Sequence, residues 1–167
     1  MNKKGNQKQR FLVGLARILG TGALICTILL LIPLAVPQIL GYETYNVVSG
    51  SMEPEIPVDS LILVKPVDPS TLEEGDIIAF YDENSIVCHR VVANNNFEQK
   101  LTTKGDANPI EDPRMLLYDD VIGLVTRHIP VLGLIGAYFS TSAGKLVLFE
   151  LLVIGILLHI VADRIKV

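Results

Sequence analysis

Cysteine is scarce in this chain of 167 residues: Cys26 and Cys88 are the only two. Cys26 sits inside an apolar run and Cys88 inside a strand-like segment, so a disulfide between them is not expected. Two cysteines cannot supply the four ligands of a structural zinc site, and neither metal nor cofactor is implied. Both read as small apolar fillers. A basic middle is also lacking. The formal charge is −4, and the stretch from Glu53 to Asp120 is acid-rich. Binding to a nucleic acid duplex needs a basic face that displaces counterions, so that class of partner is excluded. Internal repeats and low-complexity linkers are absent as well.

Half of the residues are hydrophobic, and they concentrate toward the two ends. From Ile18 to Leu40 there is no charged side chain, a run long enough to cross ~30 Å of hydrocarbon as a helix. Residues 1–17 form a basic segment with Lys3, Lys4, Lys8, Arg10 and Arg17, which by the positive-inside rule belongs in the cytoplasm. Pro33 and Pro37 are expected to bend the far end of the helix. The run exceeds the ~7–15 residues of a signal-peptide core, and no small-x-small cleavage site follows it, so a retained anchor over 18–40 is expected. A second apolar run, 146–162, sits at the short end of the spanning range and contains Glu150 and His159. These two lie near opposite interfaces or face the first helix. The basic tail 163–167 suits a return to the cytoplasm.

Residues 41–142 read as β structure. The runs Leu61–Val64, Ile77–Phe80, Ile86–Ala93, Phe97–Thr102 and Val121–Val125 are short, apolar or alternating, and separated by turn formers such as Glu74-Gly75-Asp76 and Asn94-Asn95-Asn96. Pro130–Phe139 fits neither class: it suits a β edge on the core or a loop dipping into the outer leaflet. The predicted architecture is a mainly β domain of coiled-sheet or partial-barrel type, anchored by an N-terminal transmembrane helix and a C-terminal one.

Three segments carry side chains suited to chemistry. Val47-Val48-Ser49-Gly50-Ser51-Met52-Glu53-Pro54 places a serine among small neighbours, and a serine hydroxyl is a weak nucleophile until a base takes its proton. The base is offered by Ile86-Val87-Cys88-His89-Arg90-Val91-Val92, where strand alternation puts His89 on a face with Val87 and Val91, away from Cys88 and Arg90. The loop Thr103–Pro113 offers Asp106 and Asp112, either of which could orient an imidazole; spacing alone does not choose. His128, beside Arg127, reads as a surface residue.

The set SGSMEP, GDIIAFY, CHRVV and KGDANPIED, in that order over roughly residues 45–125, resembles the type I signal peptidase family. More narrowly it resembles the branch of archaea, the endoplasmic reticulum and some Gram-positive bacteria, in which a histidine stands where other bacterial members have a lysine base. The resemblance implies a serine endopeptidase with Ser51 as nucleophile, His89 as general base, Asp112 orienting it and Asp106 supporting the site. It implies an oxyanion hole from Ser49 and the Ser51 amide, and Met52 lining the substrate groove. Lys104 matches a loop position and is not a base. The large extra β insert of many bacterial relatives is missing.

What the resemblance implies in function is cleavage of signal peptides from secreted preproteins at the outer face of the cytoplasmic membrane. The expected partners are those signal peptides, the lipid bilayer and the protein-translocation channel. A histidine base implies activity that falls on the acid side of neutrality. The alternatives are a related membrane protease cutting itself or a regulator, and a non-enzymatic tethered β module.

Overall fold

The computed structural model describes residues 3–165, with side chains from residue 7 onward. Lys166, at the end of the expected basic tail, and the first two residues of the N-terminal segment lie outside the described residues. Contacts divide the chain into two units: one holds the chain up to Ala35 and the chain from Tyr138, the other Val36–Ala137.

The first unit is helical. Helix α1, Lys3–Ile39, contains the whole charge-free run. The helix continues through Pro33 and Pro37. Its end is closed by Gly41 at φ 81°, with Gly41 N–H donating to the Gln38 carbonyl and Tyr42 N–H to the Pro37 carbonyl. This is the Schellman arrangement, which needs a residue comfortable at positive φ. Helix α3, Ser142–Arg164, starts at Thr141, whose hydroxyl accepts from Gly144 N–H. Gln7–Ile39 and Ser142–Arg164 are each long and apolar enough to cross a membrane.

Helices α1 and α3 run antiparallel against each other. Arg17 pairs with Asp163 at 2.9 Å, and Thr21 Oγ1 lies 3.2 Å from His159 Nε2. Between them, a Cβ on Gly20 would meet the Gly155 carbonyl at 3.0 Å, and one on Gly155 would meet Leu24 at 2.8 Å. Small residues allow backbones this close, which is how apolar helices associate without a hydrophobic driving force. Of the two alternatives for His159, it faces α1; Glu150 is exposed.

The second unit is built on one seven-stranded antiparallel sheet: β1 Glu43–Asn46, β2 Leu61–Lys65, β3 Ile77–Asp82, β4 Ser85–Asn95, β5 Lys100–Lys104, β6 Leu116–Leu117 and β7 Val121–Ile129. Their order across the sheet is β1-β2-β7-β3-β4-β5-β6. Alternation along β3 and β4 feeds two cores. Ile78, Phe80, Val87 and Val91 join Leu72, Leu101 and Leu116, whereas Ala79 and Cys88 join Met52, Ile56, Ile62 and Val64. The fold class expected from the sequence, a mainly β domain with an apolar helix at each end of the chain, is the one observed.

Two expectations need correction. The strand placed over Phe97–Thr102 begins only at Lys100, because Asn95 Oδ1 accepts from Phe97 and Glu98 N–H and turns the chain there; Phe97 is 98% exposed. Pro130–Phe139 is neither a β edge nor a loop: residues Leu132–Ser140 form helix α2. Its first turn rests on Asp59, whose carbonyl accepts from Leu134 N–H. A Cβ on Gly133 would lie 2.5 Å from the Ser60 carbonyl and 2.6 Å from that of Asp59. Those glycines, read as strand or loop signals, are instead the condition for close helix docking.

Candidate active site

Ser51 stands at the head of a turn that follows β1. Glu53 N–H donates to the Gly50 carbonyl and Ile56 N–H to the Met52 carbonyl at 2.8 Å. Met52 and Ile56 are 1% and 0% exposed, so two apolar anchors fix the turn and leave Ser51 half-buried at its edge. Burying such a side chain stabilises by roughly 1.5–3 kcal/mol, enough to hold a short loop. Ser49 Oγ lies 3.5 Å from Ser51 Oγ. A Cβ on Gly50 would meet nothing nearer than the Glu53 carboxyl carbon at 3.4 Å.

His89 is on β4 opposite Ile78, buried, with its ring edge-on to Phe80 at 6.2 Å. Its Nδ1 is 2.6 Å from Asp112 Oδ2, and the same oxygen accepts from the buried Thr103 hydroxyl, also at 2.6 Å. Asp112 N–H donates to the Thr103 carbonyl at 2.8 Å. Two bonds to one residue of β5 therefore set the carboxylate before it meets the ring. With Asp112 as acceptor, Nδ1 is the donor, which in a neutral imidazole leaves the lone pair on Nε2.

That Nε2 looks toward Gly105. The position a Cβ would take there is 2.9 Å from His89 Nε2, 2.7 Å from the Ser51 carbonyl oxygen and 2.8 Å from Asn108 Nδ2. Ala107 N–H donates to the same Ser51 carbonyl at 2.9 Å. The loop after β5 thus ties Ser51 beside the imidazole, and only glycine fits between them. Among the described residues no hydrogen bond joins Ser51 to His89.

Asp106 points elsewhere. It receives both Nε and NH2 of Arg90, at 2.8 and 2.6 Å, while Arg90 NH1 donates to the Gly75 carbonyl at 2.8 Å. This fork is the geometry a guanidinium and a carboxylate favour. The bonds to Asp106 hold the Arg90 pKa above its ordinary value. Arg90 thereby joins β4, the Gly75 turn and the Gly105–Asn108 loop. So the two carboxylates left open by spacing are separated by geometry: Asp112 meets His89, and Asp106 meets Arg90.

A cleft of about 160 Å³ opens beside Ser51, lined by Ser49, Ser51, Met52, Val87 and Cys88 among others. Met52 is at once a core residue and part of this lining. Cys88 is a second nucleophilic atom in the same cleft. Burial, with the Asp106 charge adding and Arg90 opposing, pushes its thiol up to about 12, so it is neutral where a serine enzyme would work. His128 is half-buried on β7 opposite Ile62, and Lys104 ends β5 opposite Arg90.

Thr103, Gly105 and Ala107 are the residues that sequence reasoning passed over. Thr103 shares a strand face with buried Leu101 along β5, and a threonine on an apolar strand face is the signal that something polar awaits it. Gly105 and Ala107 contribute through backbone and space, which residue type alone does not reveal.

No family model matches the chain. It is similar to Signal peptidase I W of Bacillus subtilis (strain 168), with 45% identity over 80 residues, 46% of this chain and 42% of that protein. The chain thus matches less than half the length of the curated relative. Taken with the loop-bound serine and the carboxylate-held imidazole, that similarity supports the type I signal peptidase family over the aligned stretch.

Proposed function

We propose that this protein is a membrane-anchored serine endopeptidase that removes signal peptides from secreted preproteins at the outer membrane face. The observation that carries the reading is the sharing of one small volume by His89 Nε2 and the Ser51 backbone, with the opposite ring nitrogen fixed by Asp112. In this reading Ser51 Oγ attacks the scissile carbonyl while His89 Nε2 takes its proton. Asp112 holds the ring and stabilises the imidazolium. Catalytic contacts often tighten only when substrate is bound, so Ser51 Oγ comes within reach of Nε2 in the complex.

The Ser51 N–H and the Ser49 hydroxyl would donate to the oxyanion, each worth ~3–4 kcal/mol to the transition state. His89 then returns the proton to the departing amine, and water, activated by the same nitrogen, releases the signal peptide from Ser51. The Arg90–Asp106 fork supports the loop that places Ser51, and Met52 floors the groove that takes the substrate. A histidine in the role of base would suit the branch found in archaea, the endoplasmic reticulum and some Gram-positive bacteria.

Ser51 follows the charge-free run by roughly ten residues, which favours a site near the outer leaflet, where a signal peptide emerges. Holding both partners at one surface replaces a three-dimensional search. The translocation channel, which delivers the substrate to that surface, is the partner expected alongside it.

Processing of a preprotein by the wild type, Ser51→Ala and His89→Ala proteins in the same vesicles tests the reading. Both variants should remain in the membrane and leave the precursor uncut. Normal processing by either would refute the assignment, and cleavage of the protein itself with preprotein intact would redirect it to self-processing.

A further inference from the structure

Helices α1 and α3 leave a groove of about 310 Å³ at the end of the pair where Arg17 meets Asp163. Arg10 and Arg17 line it from α1, and Asp163 from α3. Seven residues apart, the two arginines fall on one face of α1. Gly14 stands between them, and a Cβ there would meet nothing within 4 Å, so the floor is open. Ala162 faces it from α3, and Val13 and Ile165 give it apolar flanks.

Among the described residues the charges lining the groove do not cancel. Asp163 receives only NH2 of Arg17, and Arg10 has no partner among the described residues. Two guanidiniums therefore stand with one described carboxylate, which pairs with only one of them, in a concave, apolar-flanked space. A guanidinium fork matches the oxygens of a phosphate.

Depth selects the source of that phosphate. Gln7–Ile39 is about 50 Å long at ~1.5 Å per residue, against ~30 Å of hydrocarbon. With the charge-free run from Ile18 onward in the hydrocarbon, Arg10 to Arg17 fall among the headgroups. Phe11 and Ile18 beside them are 69% and 71% exposed, surfaces suited to acyl chains. Basic pockets between membrane helices are a recurrent way of holding anionic headgroups.

We infer that this groove binds the headgroup of an anionic phospholipid, its phosphate between Arg10 and Arg17 and its acyl chains along the apolar faces of α1 and α3. The site rests on membrane insertion of the two helices and not on the chemistry of Ser51. Asp163 acts as a built-in competitor for Arg17.

The test uses the full chain in phosphatidylcholine vesicles carrying spin-labelled phosphatidylglycerol or spin-labelled phosphatidylcholine. Spectra report the lipid immobilised by the protein. The wild type should select phosphatidylglycerol. The Arg10→Gln/Arg17→Gln double variant should lose selectivity by on the order of tenfold or more, and Asp163→Asn should gain about fivefold, at ~1 kcal/mol per charge near the surface. Lys8→Gln, which removes a charge outside the groove, should leave selectivity unchanged.

Equal loss in Lys8→Gln would mean diffuse attraction and overturn the site, as would unchanged selectivity in the double variant or in Asp163→Asn. Displacement of the labelled lipid by an equal concentration of inorganic phosphate would overturn the lipid assignment. Release of the protein by alkaline washing would sink the membrane reading and this site together. Preprotein cleavage in the same vesicles reports separately on Ser51, and its absence would leave the lipid result standing.

Discussion

Gly105 stands so near His89 that a methyl group on the glycine would come within 2.9 Å of Nε2, and within 2.7 Å of the Ser51 carbonyl. Neither neighbour is the loose end of a flexible chain: one is a ring clamped by Asp112 and the other is backbone. Gly105→Ala should therefore push the imidazole from Ser51, with a folding cost of roughly 1–3 kcal/mol from overpacking. Cleavage should fall by more than ~100-fold, the effect of a misplacement of about 1 Å. Gly50→Ala, whose new carbon meets only the Glu53 carboxyl at 3.4 Å, should fold as well as the wild type. Thermal unfolding and cleavage rates of both variants check the contrast.

Asp112 takes two hydrogen bonds on one oxygen, from His89 and from Thr103. Thr103→Val keeps the shape and removes the hydroxyl. It should cost about 1 kcal/mol of stability, as for a typical lost hydrogen bond, and lower kcat with KM little changed. Asp112→Asn should be far worse, on the order of 10³–10⁴ in kcat, because a carboxamide can present a donor to Nδ1 and fix the wrong tautomer. Equal effects of the two substitutions would contradict the role given to Asp112.

Arg90 and Asp106 form a bidentate pair that is also tied to the Gly75 carbonyl. Removing only the arginine leaves a half-buried carboxylate without its partner, at a cost of up to ~3 kcal/mol. Arg90→Lys keeps the charge and loses the fork, so it should fold, with a smaller loss of stability and a measurable loss of activity. A double-mutant cycle with Asp106→Asn should show strong coupling. Additive effects would mean that the pair is not a unit.

Cys88 offers a pH test. Its thiol, raised by burial to about 12 from an ordinary 9.0, holds its proton more tightly when folded. The sign follows: its contribution to stability is full below about pH 9 and is lost as pH rises from there toward 12. In the folded protein, labelling of Cys88 by a thiolate-specific reagent at neutral pH should be slower than that of an unfolded control by on the order of 10³-fold. Fast labelling at neutral pH would show a thiolate in the cleft and reopen the identity of the nucleophile.

Much of this arrangement was legible in the chain itself, for identifiable reasons. The alternation in β4 gave His89 its face, since period-2 patterning is a local property. The charge-free run gave α1, since length and hydropathy suffice. Helix α2 escaped because Gly133 and Gly136 weaken a helix in isolation, and only docking against Asp59 and Ser60 compensates. The division of labour between Asp106 and Asp112 was implied by the family resemblance but was not legible from spacing, because it depends on which loop carbonyls and side chains are near: Arg90 claims the first and Thr103 the second. The pairing of His159 with Thr21 escaped because the register of two apolar helices is set by where their glycines meet.

The central claim is that His89 takes the proton from Ser51, and pre-steady-state acylation measures that step alone. Mixing the vesicle-bound protein with an excess of an activated signal-peptide ester, followed by mass spectrometry, should show one acyl group on Ser51. The adduct should be absent in Ser51→Ala and should form at least ~10³-fold more slowly in His89→Ala. Acylation of Ser51 at the wild-type rate without the imidazole would contradict the account.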